Sequence, residues 1–198
     1  MDVTPVTLDG DYVRLEPLSL DDHLDGLQEA GAHPGLFRWF PKDRSSPDAM
    51  RAFVEEALAA QRAGTALPFA TVLQETDEVI GSTRFGNVAP EHRRVEIGWT
   101  WITPSHQRTP ANTEAKYHML AHAFEQWECV RVELKTDARN RQSIDAIRRI
   151  GATEEGTLRK HMQTHQGPRD TVYFSVLDDE WPAVKRDLEA KLSQEYTE

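Results

Sequence analysis

The stretch Val95-Glu-Ile-Gly-Trp-Thr-Trp-Ile102, continued by Thr103-Pro-Ser-His-Gln-Arg-Thr-Pro-Ala-Asn112, decides how this chain is read. The first part reads as a strand and the second as a loop that opens a helix at Thr113. A loop rich in Ser, Thr and Asn between a strand end and a helix start presents backbone N–H groups to an anion, for which phosphate is the natural guest. Arg108 would add charge-assisted bonds, and the hydroxyls of Thr109 and Thr113 would donate as well. The same residues also suit an ordinary capped helix with nothing bound, Asn112 as N-cap and Glu114 complementing the dipole.

Beyond this loop, Ala115, Met119, Leu120, Ala123, Phe124 and Trp127 recur at helical spacing. Upstream, Tyr12-Val-Arg-Leu-Glu-Pro alternates as a half-buried strand does, and Asp21 and Asp22 start a helix that Gly31 stops. Leu36-Phe-Arg-Trp-Phe-Pro is an aromatic loop, and a second helix follows Ser46-Pro47-Asp48. Phe69 to Leu73 and Val79 to Phe85 read as antiparallel strands about a tight turn, with a third strand from Arg94 to Ile102. Downstream come a strand at Val130 to Thr136, a short helix marked by Ile144, Ile147 and Ile150, a strand at Thr171 to Leu177 and a charged C-terminal helix. No repeat or low-complexity linker interrupts the pattern, which predicts one mixed α/β domain over residues 1–198.

Composition narrows the partners. With 38% apolar and 28% charged residues, no apolar run approaches the roughly 18 residues of a membrane span, and the N-terminus lacks a signal-peptide pattern. The expectation is a cytoplasmic protein without a membrane partner. A net charge of −10 with scattered basic residues disfavours nucleic acid and suits amines or basic peptides. The single cysteine, Cys129, lies in an apolar stretch and excludes an intramolecular disulfide. His118 and His122 are spaced i, i+4, but no His-Glu-x-x-His pattern accompanies them, so no metal site is expected.

A second strand–loop–helix unit sharpens the first. Val132-Glu-Leu-Lys-Thr runs into Asp137-Ala-Arg-Asn-Arg-Gln-Ser and a helix, so two helix N-termini fall at one edge of a parallel strand pair. Together with Arg14-Leu-Glu-Pro-Leu, Val79-Ile-Gly-Ser-Thr-Arg, Thr113-Glu-Ala-Lys, Asn140-Arg-Gln-Ser, Arg149-Ile-Gly-Ala-Thr-Glu-Glu-Gly, Arg169-Asp and Glu180-Trp181, the chain resembles the GCN5-related N-acetyltransferase (GNAT) superfamily. The branch it is most similar to is that of the ribosomal-protein N-terminal acetyltransferases. The resemblance implies a mixed, mostly antiparallel sheet with a splayed parallel pair and helices on both faces.

It also implies a site. Acetyl-coenzyme A would be held by Trp101, Ile102, Thr103, Gln107, Arg108, Thr109, Ala111, Asn112 and Thr113, with Asn140 on the pantetheine arm, where Asn140 is equally a simple N-cap. The oxyanion donor is expected among the backbone N–H groups near Trp101 and Ile102. Glu96 is the candidate base, against the alternative of an outward strand carboxylate, and Ser143 the candidate acid for the departing thiolate. Trp39, Arg38, Phe85 and Trp99 are the candidate acceptor-pocket residues, and Arg159 with Asp170 a candidate ion pair. No activated nucleophile stands out, which favours direct transfer to a primary amine, such as a protein N-terminus or a small amine. A homodimer fits family habit.

One departure matters. The family loop reads Gln/Arg-x-x-Gly-x-Gly/Ala, and here its glycine positions hold Pro110 and Asn112. Pro110 has no N–H to give, and a charge-assisted bond is worth roughly 1.5–3 kcal/mol, so cofactor binding is expected to weaken by about tenfold to a hundredfold. The competing reading is a non-catalytic ligand-binding module on the same fold.

Overall fold

Alternation in the strands and apolar stripes on the helices resolve into one twisted sheet covered on both faces. The computed structural model describes residues 1–195. Its eight strands are β1 (Leu8–Asp9), β2 (Val13–Pro17), β3 (Leu67–Leu73), β4 (Val79–Ala89), β5 (Arg94–Ile102), β6 (Arg131–Asp137), β7 (Thr153–Thr164) and β8 (Gly167–Leu177), in spatial order β1-β2-β3-β4-β5-β6-β8-β7. Only β5 and β6 run parallel. Helices α1 (Leu20–Gly31) and α2 (Pro47–Arg62) cover one face, where Leu27, Met50, Phe53 and Val54 pack on Ala70, Val72 and Trp101. Helices α3 (Ala111–Ala121), α4 (Arg141–Arg149) and α5 (Trp181–Glu195) cover the other, where Met119, Leu120, Ile147 and Leu188 meet Phe85, Ile97 and Leu134.

Local chemistry sets the helix starts. Ser19 and Ser46 accept from the N–H groups of Asp22 and Ala49, the second followed by Pro47 in the first turn. α3 starts two residues earlier than expected: Pro110, not Asn112, occupies the cap position, with no side-chain capping bond. Its first turn is anchored by Glu114, which is 2% exposed and accepts from the N–H groups of Asp11, Tyr12 and Val13 at 2.8, 2.9 and 2.7 Å. That carboxylate ties the helix to the turn between β1 and β2.

Two irregularities shape the centre of the sheet. Ser82 faces Trp101 and Arg84 faces Gly98, so β5 spends one more residue than β4 over this interval, and Trp99 takes up the excess at φ 51°. The bulge turns both Trp99 and Trp101 toward α1 and α2, while Thr100 and Ile102 face α3. Pairing of β5 with β6 then lasts only from Arg94–Arg131 to Glu96–Glu133. Glu133 accepts from Arg94 at 2.8 Å and Arg131 at 3.0 Å, pinning the paired end, and beyond Glu96 the two strands part. β7, for which the residue pattern gives no strand signal, is an edge strand with almost every residue exposed, and it forms a hairpin with β8.

Candidate active site

The gap between the parting strands opens into a cleft of about 670 Å³, walled by β5, β6, the starts of α3 and α4, the aromatic loop and β7. Glu96 lies at its apex, 2% exposed, where one carboxylate oxygen accepts from Asn87 Nδ2 at 2.6 Å and Lys135 Nζ at 2.8 Å. The other oxygen has no hydrogen-bond partner among the described residues. Paired with Lys135, Glu96 is an acceptor-only carboxylate at the point where the strands diverge.

The backbone of β5 supplies the next element. Thr103 N–H donates to Ile80 O at 2.8 Å on the β4 side, so antiparallel alternation turns the N–H and C=O of Ile102 toward the open gap and spends those of Trp101 on β4. Gln107 Nε2 donates to Ile102 O at 2.9 Å, and Gln142 Nε2 donates to Gln107 Oε1 at 3.0 Å, a chain of amides that spans from β5 to α4. Of the two expected oxyanion donors, Ile102 therefore has the exposed geometry.

At the start of α3 the turn is made by Arg108 at φ 64°. The hydroxyl of Thr109 donates to His106 O at 2.8 Å and is not available to a phosphate. Asn112 and Thr113 N–H have no acceptor among the described residues, so the helix start keeps open donors despite Pro110. Asn140 caps α4 by accepting from Ser143 N–H at 3.2 Å, which leaves its Nδ2 to the cleft wall it lines. The Ser143 side chain lines the same wall. The open Asn112 N–H, with Arg108 beside it and Asn140 across the cleft, fits the pyrophosphate and pantetheine of a coenzyme A thioester.

Other expected residues fall elsewhere. Phe85 is fully buried on the α3 side, 4.6 Å from the Trp127 ring and 5.9 Å from that of Phe69. Strand alternation puts its neighbour Arg84, not Phe85, on the acceptor side. Arg38 is exposed and stacks on Trp39 at 4.8 Å, off the cleft wall. Thr103, Ala111 and Thr113 are buried, and the Thr113 hydroxyl accepts from the Arg149 guanidinium. Asp170 accepts from Lys160 N–H at 2.6 Å in place of an ion pair with Arg159. Trp39, Trp99, Trp101, Ile102, Gln107, Arg108, Thr109 and Asn112 do line the cleft.

Two basic residues that the sequence offered only as family markers, with no role, lie at the cleft. Lys116 on α3 is 5% exposed, with its amine donating to Thr83 Oγ1 at 3.1 Å and Thr100 Oγ1 at 2.7 Å. Burial pushes it down to about 7, so this cleft-wall amine titrates near neutrality. Arg169, 7% exposed, donates to Trp39 O at 3.3 Å and to Thr171 at 3.1 Å, joining the β7–β8 hairpin to the aromatic loop. Cys129 is 1% exposed, and burial holds its thiol at about 11, which disqualifies it as a nucleophile.

Comparison with known proteins agrees with this architecture. An uncharacterized N-acetyltransferase, p20 of Bacillus licheniformis, is 30% identical over 118 residues, 60% of this chain and 66% of that relative. The chain thus spans slightly under two thirds of that relative's length. A GCN5-related N-acetyltransferase from Brucella melitensis superposes with a TM-score of 0.87 at 30% identity, covering 94% of this chain and 85% of that one. RimJ from Mycobacterium smegmatis, solved in complex with CoA-disulfide, shares the fold at a TM-score of 0.79 and 24% identity, over 90% of this chain and 88% of that one. The family model for the acetyltransferase (GNAT) domain matches residues 13–153, and the chain belongs to that family.

Proposed function

We propose that this protein transfers acetyl from acetyl-coenzyme A directly to a primary amine, with both substrates bound together. The observation that carries the reading is the parting of β5 from β6 at Glu96, which brings a lysine-bonded carboxylate, an outward Ile102 N–H and the open Asn112 N–H of α3 to one cleft. Acetyl-coenzyme A would supply an activated acyl group and a thiol leaving group. The N–H group of Asn112, with Arg108, would hold its pyrophosphate, and Asn140 Nδ2 its pantetheine arm.

Glu96 would accept the proton of the incoming amine on its unpaired oxygen, while Asn87 and Lys135 fix its orientation through the other. Ile102 N–H would stabilise the charge that develops on the carbonyl oxygen. Ser143 would donate a hydrogen bond to the departing thiolate, a stable leaving group since thiols ordinarily have a pKa of ~8.5, and solvent would supply the thiol proton while Glu96 gives up the one taken from the amine. Trp39 and Trp99 would hold the acceptor by apolar contact on the side of the cleft away from α3. The Cys129 thiol is buried and held protonated, and the Lys116 amine is engaged by Thr83 and Thr100, which favours direct attack over an acetyl-enzyme.

Thermal unfolding with acetyl-coenzyme A, followed by thiol release across a panel of amines, tests the reading. Stabilisation with amine-dependent release supports it. Stabilisation without release under any amine would favour a binding module, and neither effect would reject the cofactor.

A further inference from the structure

Beside the main cleft lies a second cavity of about 220 Å³, walled by Phe40, Lys42, Arg44, Phe53, Glu56, Arg84 and Trp99, and the two share Phe40, Pro41 and Trp99 as common walls. Arg84 is 5% exposed, yet none of its guanidinium nitrogens bonds to any described residue, and its Nε is buried with no partner. Its guanidinium carbon lies 4.7 Å from the Phe53 ring centroid and 5.0 Å from that of Trp99, contacts that occupy no N–H group. The only carboxylate in the cavity wall, Glu56, already accepts from Lys42 at 3.0 Å and Arg44 at 2.6 Å. Three cations thus face one anion, and of the two buried ones, Arg44 bonds Glu56 while Arg84 has no hydrogen-bonded counter-charge. A buried unpaired guanidinium is costly to maintain, and its planar fork of N–H groups matches a carboxylate.

Resting on the acetyltransfer reading above, we infer that Arg84 is the recognition site for a carboxylate carried by the amine acceptor. The position suits the chemistry, because Arg84 pairs with Gly98, two residues along β5 from Glu96, or roughly 7 Å of strand. Trp99 separates the two groups: Arg84 contacts its ring, and Lys135, bonded to Glu96, lies 5.9 Å from the same ring. An amine at Glu96 with a carboxylate a few bonds away would reach both. Two sources share that chemistry, a peptide N-terminus followed closely by Asp or Glu, and a free amino acid.

The test uses two matched pairs: a short peptide amide with Glu or with Gln at its second residue, and an amino acid with its own amide. The inference expects KM to be at least about tenfold lower for the carboxylate member of one pair, and that pair identifies the source. In R84Q the advantage disappears and the carboxylate member behaves as its neutral partner, while R84K, which keeps the charge and loses the fork, falls between. Stabilisation by acetyl-coenzyme A reports that each variant is folded, and R84K carries the test if R84Q does not fold. Thermal stabilisation by the carboxylate member alone, lost in the variants, is read in parallel, so that a protein without turnover still answers. Amine acetylation with no preference in either pair, or a preference that survives R84Q or R84K unchanged, would overturn the inference while leaving the acetyltransfer reading standing. Absence of both a preference and carboxylate-dependent stabilisation would overturn it as well.

Discussion

Lys116 carries its amine into a wall where, among the described residues, two hydroxyls receive it and no carboxylate neutralises it. Its folded value of about 7 lies far below the ~10.4 of an unfolded lysine. Between those two values the unfolded chain binds the extra proton, so this residue's contribution makes folding more favourable as pH rises and is most unfavourable below about 7. Lys116→Met is therefore expected to stabilise the protein at pH 6 by about 2–4 kcal/mol, after allowance for two lost hydrogen bonds, with the gain shrinking toward pH 10. Urea unfolding at both pH values checks this, and a gain independent of pH would contradict it. Glu96→Gln is expected to lower kcat by about 10²–10⁴-fold while leaving acetyl-coenzyme A affinity within a few fold, read from initial rates and calorimetry. Glu96 stood out through the family resemblance, and its strand alone equally suited an outward carboxylate. Lys116 and Arg84 did not stand out, because a cation on a strand or helix reads as a solvated face until the fold buries it.

Glu114 shows the same limit among the elements. In the sequence it is a first-turn acid suited to the helix dipole, whereas in the structure it closes three N–H groups of a segment about a hundred residues away. Glu114→Ala should destabilise by about 3 kcal/mol or more, since it strands donors in a buried setting, and Glu114→Gln by less. Chemical denaturation of the two variants orders them. The start of α3 also makes a prediction. Pro110 has φ −57°, which alanine adopts without strain, so Pro110→Ala should restore one donor and tighten acetyl-coenzyme A by up to about tenfold, measured by calorimetry. The strands with one buried face were legible through alternation. β7 was not, because it pairs on one side only, is exposed on both faces and is broken by register shifts near Gly156 and between Leu158 and Met162. The Trp99 bulge likewise left only Gly98 as a sequence mark, and Gly86 opposite explains how it fits: a Cβ there would lie 2.3 Å from the Trp99 ring.

At the scale of the whole molecule, the cleft is a consequence of sheet geometry. Arg94, Arg131 and Glu133 hold the parallel pair together at one end, the Trp99 bulge diverts β5 at the other, and the gap receives the starts of two helices. The order of strands and helices that produces this arrangement was readable from periodicity and from the family resemblance. The acceptor side was less so, since it is assembled from the aromatic loop, β4 and the β7–β8 hairpin, joined by bonds such as Arg169 to Trp39 O. Among the described residues no helix is long and apolar enough to cross a membrane. The measurement that bears most directly on the account is thiol release from acetyl-coenzyme A with simultaneous mass spectrometry of the amine. The account predicts release that depends on the amine, matches the acetylated product mole for mole and collapses in Glu96→Gln. Release that is independent of amine, or acetylation that proceeds undiminished in Glu96→Gln, would contradict it.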